Sequence, residues 1–125
     1  MTETGLKAMA VNSLEDMKAE DITLLNVSNK TSITDWLVIA SGTSSRHVKS
    51  IANNVVVAAK KVGIQPLGVE GDDIGEWVLV DLGDVIVHVM QKQVREFYDL
   101  ESLWQIDTGS LPENRKPMVK KPEAG

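Results

Sequence analysis

Apolar side chains recur along this chain with two different periods, and the period separates predicted helices from predicted strands. Helical spacing near the start predicts a helix from about residue 5 to residue 19, with an apolar face of Leu6, Met9, Ala10, Leu14 and Met17. The same spacing predicts a second helix from about residue 44 to residue 62, before a glycine that suits a helix end. Its expected buried stripe consists of Val48, Ile51, Ala52, Val55, Ala59 and Val62.

Five shorter apolar runs predict strands. The first is ITLLNV, and the second, WLVIA, lacks alternation, which is typical of a strand covered on both faces. Three more follow the second helix, and Gly83 and Asp84 between the last two indicate a β-hairpin. A short last helix is predicted between Gln91 and Trp104, with Asp99 placed to cap a second turn. The order α-β-β-α-β-β-β-α predicts one mixed five-stranded sheet with flanking helices, an α/β or α+β fold.

Composition narrows the class of protein. A chain of 125 residues fits one domain with a real core, and without cysteine it has neither a disulfide framework nor a thiolate zinc site. No apolar run is long enough to span a bilayer, and the N-terminal residues lack the pattern of a signal or transit peptide. We therefore expect a soluble, cytoplasmic protein. The formal net charge of −5 argues against non-specific attraction to nucleic acid.

The end of the chain differs in composition from the rest. The residues after Trp104 hold three of the four prolines and little apolar content, which is typical of disorder. We therefore predict a folded domain over residues 1–106 and a disordered C-terminal tail over residues 107–125.

The turn SGTSSRHVKS, residues 41–50, is the first candidate for chemistry, because a turn that starts a helix can bind phosphate through free N–H groups. Ser44 and His47 share a helix face, but no acid nearby in sequence would orient the imidazole as a base. The turn lacks P-loop spacing. Nucleotidyltransferase chemistry would need a strand-borne carboxylate pair to hold a metal, and the nearest acids lie in the loop VEGDDIG. We interpret Ser44 as a helix cap and Gly42 as a turn residue, with a nucleotide-binding enzyme as the alternative.

Basic side chains crowd the start of the second predicted helix, where the helix dipole disfavours positive charge. Arg46, His47 and Lys49 form this secondary basic patch, and they either pair with the protein's own acids or meet a partner. The only other histidine, His88, is far away in sequence. We therefore expect no metal site and no cofactor.

A one-signed acidic stretch from Glu70 to Asp84 is the second candidate region. It carries six acids and no Lys or Arg, with Trp77 inside it. Strand alternation places Trp77, Leu79 and Asp81 on one face, and a purely apolar core set on the other. A tryptophan in this setting is either a core residue or an interface anchor, and the sequence leaves both interpretations open.

Four segments together resemble the ribosomal silencing factor family, also called the Iojap-related family. They are KAEDI, TDWLVIASGTSSRHVKSIA, PLGVEGDDIGEWVLVDLGDVIVHV and VREFYDLESLW. They follow one another with compatible spacing and cover nearly everything from Lys18 to Trp104, which leaves the tail uncovered. The resemblance implies a nucleotidyltransferase-like fold that is not an enzyme.

The resemblance also implies a function and a partner. Members bind the large ribosomal subunit through the fourteenth protein of its universal set, sterically block subunit association and repress translation under nutrient limitation. They can also self-associate, so a homodimer is an expectation, whereas a membrane or sequence-specific nucleic acid is not an expected partner. The residues expected to bind the partner are Trp77, Leu79, Asp81, His88, Met90, Arg95, Phe97 and Tyr98.

Overall fold

The structure is a computed structural model that describes residues 3–100 and residue 102. Within that range, helices and strands follow one another in the order that the sequence predicts. The helices are α1 (Glu3–Asp16), α2 (Ser45–Lys61) and α3 (Lys92–Tyr98). The strands are β1 (Glu20–Asn26), β2 (Trp36–Gly42), β3 (Gly68–Glu70), β4 (Trp77–Asp81) and β5 (Val85–Gln91). The predicted tail, residues 107–125, lies outside the described residues.

The five strands form one mixed sheet in the order β1-β2-β5-β4-β3. Its two middle strands, β2 and β5, run parallel, with Trp36 beside Val85 and Gly42 beside Gln91. The other neighbouring strands, β1 with β2, β5 with β4 and β4 with β3, are antiparallel. A parallel pair needs a long crossover, and here α2, β3 and β4 lie between the two strands in sequence. The predicted five-stranded mixed sheet is confirmed.

Helices α1 and α2 pack against each other and against one face of the sheet. The α2 residues buried there are Val48, Ile51, Ala52, Val55 and Ala59, as the periodicity predicts. The prediction that Val62 is buried with them is wrong. Val62 is the C-cap of α2, with φ −100° and ψ 16°, so its backbone no longer follows the helix and its side chain is exposed.

The turn before α2 has the structure of a helix start. The Ser44 hydroxyl oxygen accepts the backbone N–H of His47 at 3.1 Å, so Ser44 caps α2 as interpreted from the sequence. A Cβ on Gly42 would approach Cγ2 of Val48 to 2.7 Å. Glycine is therefore required at position 42 because the first turn of the helix lies so close to the strand.

The opposite face of the sheet is packed differently. Helix α3 follows β5 directly and contacts β5 and β2. A second, smaller apolar cluster lies on this face: Val27, Leu37, Ile39, Ile86, Met90 and Leu100. Asp99 ends α3 with a left-handed backbone, φ 49°, and helical residues Leu100 and Ser102 follow it. The rest of the predicted second turn lies outside the described residues.

Candidate functional site

The sheet face that carries α3 also carries the predicted contact residues. Residues directly opposite each other on neighbouring strands share a face, and three such rows lie here. They are Leu37 with Ile86 and Asp81, Ile39 with His88 and Leu79, and Ser41 with Met90 and Trp77. The accessible part consists of Trp77, Leu79 and Asp81 from β4 with Phe97 and Tyr98 from α3. We call these five residues the aromatic face.

Trp77 connects the core to the aromatic face. Its indole Nε1–H donates a hydrogen bond to Nδ1 of His88 at 2.9 Å. The Trp77 ring centroid lies 5.1 Å from that of Tyr98, and Tyr98 meets Phe97 edge-on at 4.8 Å. Trp77 is half-buried and packs against the smaller apolar cluster. Trp77 therefore has features of both a core residue and an interface anchor, because one side of the indole packs in the core and another faces solvent.

His88 lies beneath Trp77 and is only 1% exposed. The indole N–H can only donate, so Nδ1 of His88 must be unprotonated, and a neutral imidazole then carries its hydrogen on Nε2. That Nε2 is buried and has no hydrogen-bond partner among the described residues. Burial lowers the pKa of His88 from 6.5 to about 4, because a charged imidazolium would be poorly solvated there. The residue is therefore neutral at physiological pH.

Phe97 and Tyr98 form the most exposed part of the aromatic face. Phe97 is 78% exposed and Tyr98 is 41% exposed. Aromatic side chains supply much of the affinity at protein interfaces because they bury large areas with few rotatable bonds. Two adjacent exposed rings beside a half-buried tryptophan therefore have the character of an anchor region.

Arg95 was expected to contact a partner, but the structure corrects this expectation. Its side chain is 8% exposed and is turned into the protein. Nη1 donates to the hydroxyl of Ser41 at 2.8 Å, and Nη2 donates to the hydroxyl of Thr23 at 2.9 Å. Arg95 thus ties α3, which carries Phe97 and Tyr98, to β2 and β1.

His88 and Met90 were also expected at the contact surface, and both are buried. They do lie on the same sheet face as Trp77 and Leu79, since His88 lies opposite Leu79 and Met90 lies opposite Trp77. The sequence could not show that other side chains cover them. They support the aromatic face from below, while Trp77 and Leu79 reach its surface.

The acidic stretch places exposed negative charge near this region, with Glu70 directly opposite Leu79. Five of its acids are exposed: Glu70, Asp72, Asp73, Glu76 and Asp84. Asp81 is half-buried, and its Oδ1 accepts the backbone N–H of Gly83 at 2.9 Å. Within residues 3–100 and 102, the ion pair between Lys92 and Glu20, at 2.6 Å, involves none of them. The surface therefore offers negative charge that a basic partner could neutralise.

The three residues of the basic patch differ in their surroundings: His47 is hydrogen-bonded within the protein, whereas Arg46 and Lys49 are exposed. Nδ1 of His47 accepts the backbone N–H of Thr43 at 2.9 Å, and its Nε2 lies 2.8 Å from the Met17 carbonyl oxygen, to which it donates. Both ring nitrogens are thus engaged, so the geometry does not pair the imidazole with the Ser44 hydroxyl as a base. Arg46 and Lys49 are exposed. In the described part of the chain neither forms an ion pair, although Lys49 lines a cleft of about 310 Å³ together with Asp72.

Two kinds of feature are not found in the described residues. No group of three or more His, Asp or Glu side chains is placed to hold a metal ion. No described helix has both the length and the apolar character needed to cross a membrane.

The hydrogen bond between Trp77 and His88 was not predicted, although a signal for it was present. A hairpin turn at Gly83 and Asp84 sets the register of β4 against β5, and that register places Leu79 beside His88. Trp77 is then the diagonal neighbour of His88 on the same face, within reach of a long side chain. The bonds from Arg95 to Ser41 and Thr23 gave no such signal, because α3 lies far from β1 in sequence.

A family model described as ribosomal silencing factor during starvation matches residues 2–124. The chain belongs to the ribosomal silencing factor family. The match extends beyond Trp104, where the resemblance in the sequence ended. The predicted assignment to this family, which is ribosome-associated and regulates translation, is confirmed.

Similar proteins support the family assignment. The chain is 48% identical over 99 residues to the ribosomal silencing factor of Chromobacterium violaceum, covering 79% of this chain and 81% of that protein. A crystal structure of a protein from the same organism matches with a TM-score of 0.83 at 43% identity, covering 94% of this chain and 98% of the other. A mouse protein named mitochondrial assembly of ribosomal large subunit protein 1 is 34% identical over 119 residues, covering 85% of this chain and 52% of that protein.

Proposed function

We propose that this protein binds the large ribosomal subunit through the fourteenth protein of the universal set, and that the bound protein sterically blocks subunit association. Translation is thereby repressed when nutrients are limiting. The protein acts in the cytoplasm, without catalysis and without a cofactor. The family assignment supports the silencing role, and the name of the mouse relative supports the large subunit as the partner.

The observation that carries the proposed contact is the composition of the aromatic face. It joins a half-buried tryptophan to two exposed aromatic rings, beside a surface of exposed acids that form no ion pairs with other described residues. A protein embedded in ribosomal RNA is expected to have a basic surface. Complementary charge then raises the association rate and sets orientation, while the aromatic anchors supply most of the affinity.

The blocking step requires only position and affinity. A folded domain docked on the joining surface of the large subunit occupies volume that the small subunit would need. No chemical step is involved, which agrees with a turn whose serine caps a helix and whose histidine is engaged by Thr43 and Met17. Self-association of the protein stays a prediction.

Sedimentation of ribosomal subunits with and without the purified protein tests this function. We expect the protein to migrate with the large subunit and the fraction of whole ribosomes to fall. If the protein stays at the top of the gradient, the proposed function is wrong.

A pull-down with the purified fourteenth protein tests the partner. Binding to the large subunit without binding to the isolated protein would contradict the partner and leave the subunit assignment standing.

Variants of the aromatic face locate the contact. Tyr98→Ala should weaken binding to the large subunit, because it removes an exposed ring that packs on Trp77. Val57→Ala is a matched control, since Val57 is also 41% exposed but lies on α2, across the sheet. Equal affinities for the two variants would show that the contact lies elsewhere.

A further inference from the structure

His88 is an unfavourable residue for the position that it occupies. It lies in the middle of β5, between Val87 and Val89, and all three are buried. Its Nε2–H has no acceptor in the part of the chain that the structure describes, and a buried donor without a partner costs free energy because its bond to water is lost on folding. Burial also lowers the pKa of His88. An apolar side chain of similar shape would therefore suit the fold at least as well.

The imidazole nevertheless makes one specific contact. Nδ1 accepts the indole N–H of Trp77 at 2.9 Å, with the two rings 5.9 Å apart. Trp77 is half-buried, so without this acceptor its N–H could be satisfied only by turning toward water. Such a turn would also change the contact of the indole with Tyr98, whose ring is 5.1 Å away.

We propose that His88 is a positioning residue that holds the Trp77 indole in the orientation required for binding the partner. This inference rests on the proposed function, because it assumes that the aromatic face is the contact surface. The unsatisfied Nε2–H of His88 is a cost to folding, and the fixed orientation of Trp77 is the benefit to binding. A side chain that is already ordered loses less conformational entropy on binding, so the complex is tighter.

Two substitutions of nearly equal shape separate positioning from packing. His88→Asn places an amide oxygen close to the position of Nδ1 and keeps an acceptor for Trp77, but it also brings an amide that lacks partners. His88→Leu removes both the acceptor and the unsatisfied donor. We expect His88→Leu to unfold at the same or a higher denaturant concentration than His88→Asn, yet to bind the large subunit about tenfold more weakly.

Stability and affinity should thus not fall together, because His88→Leu should be at least as stable as His88→Asn but bind more weakly. A purely structural role predicts the same order in both, because loss of binding would then follow loss of folding. Affinity of His88→Leu equal to that of the wild type would also overturn the inference.

A second background tests whether His88 acts through Trp77. Trp77→Phe lacks the indole N–H, so adding His88→Leu to it should change affinity by less than about twofold. A loss as large as in the wild-type background would show that His88 acts by another route, and the inference would be wrong.

Indole N–H signals in ¹H–¹⁵N spectra report on the free protein. The chain has three tryptophans, and the Trp77 signal is identified by its absence in Trp77→Phe. We expect this signal to exchange faster with water in His88→Leu than in the wild type or in His88→Asn. Unchanged exchange overturns the inference even if the large subunit is bound. If the wild type does not bind the large subunit, the proposed function fails, while this signal still decides whether His88 holds Trp77.

Discussion

The two faces of the sheet are built from different kinds of residue. The face under α1 and α2 is packed with aliphatic side chains, and valines from β2, β4 and β5 dominate its strand positions. The face under α3 mixes aliphatic residues with buried polar groups, namely His88, Ser41 and Arg95. The first arrangement maximises apolar burial, which is the main source of stability. The second places His88 against the aromatic ring of Trp77. Under our proposals the first face serves stability and the second serves recognition.

The largest expected effect is on stability and comes from the helix-covered face. Ile51 is fully buried between α2 and the sheet. Ile51→Ala should lower the free energy of unfolding by about 2–5 kcal/mol, because it removes buried methyl groups and leaves a cavity. Denaturant titration measures this change. Affinity for the large subunit, measured where the variant is still folded, should stay the same, and a specific loss of affinity would break the division between the faces.

A pH titration tests the same comparison, because the only strongly shifted pKa among the described residues belongs to His88, on the sheet face under α3. The pKa of His88 is 6.5 in the unfolded chain and about 4 in the folded protein, so the folded protein takes up this proton only at a lower pH. The stability contributed by neutral His88 is thus fully present above pH 6.5 and is lost as the pH falls to 4. The loss should reach about 3 kcal/mol.

The control for this titration is His88→Leu, which cannot take up the proton. The difference in unfolding free energy between wild type and His88→Leu should change with pH in this window, while carboxylates titrate equally in both. A constant difference from pH 7 to pH 4 would show that His88 is already charged or is not buried in solution.

Trp77→Ala should affect both binding and folding, because Trp77 belongs to both environments. We expect binding to the large subunit to weaken by about 2 kcal/mol, as for a central aromatic anchor. The free energy of unfolding should fall by less than the roughly 3–5 kcal/mol typical of a fully buried tryptophan. Isothermal titration and denaturant unfolding measure the two quantities. A large loss of stability without any loss of affinity in the folded variant would make Trp77 a core residue only.

The smallest expected effect concerns charge. Glu70 is exposed on β3 directly opposite Leu79, and Glu70→Lys should slow association with the large subunit several-fold at low salt, with a smaller effect as salt screens the charges. Glu15→Lys makes the same change at an exposed position of α1, across the sheet, and should leave the rate nearly unchanged. Stopped-flow mixing at two salt concentrations compares the variants. Equal rates would show that the acidic surface does not guide docking.

The fold could be predicted because its elements have strong periodicity and clear boundaries. Periodicity placed the elements in order, while the capping serine and close glycine before α2 and the Gly83–Asp84 turn before β5 marked two of the boundaries. The boundaries were less certain: α1 ends at Asp16 rather than near residue 19, because Met17 and Lys18 already form a turn. A buried stripe was also extended one residue too far, to Val62, since periodicity does not show where a helix stops.

The sequence predicted which face of the sheet carries the candidate site, but not which of its side chains are buried. Alternation placed Trp77, Leu79 and Asp81 on one side of the sheet, and the register agrees, with His88 and Met90 expected at the same contact. Whether a side chain on that side is covered depends on how α3 lies across the strands. Hydrogen bonds from Arg95 to Ser41 and Thr23, which are distant in sequence, help to hold α3 in that placement. Local patterns cannot contain this information, and for the same reason a charged residue was mistaken for a surface contact.

The parallel pairing of β2 with β5 has a consequence for the order of folding during synthesis. Both hairpin-like pairs, β1 with β2 and β4 with β5, join strands that are neighbours in sequence, whereas the seam between them joins Trp36 to Val85. Contacts between distant residues form slowly because a long loop must close first. A nascent chain that has emerged only as far as α2 therefore exposes one edge of β2 without its partner. We expect the sheet to become complete only after Gln91 has left the ribosome.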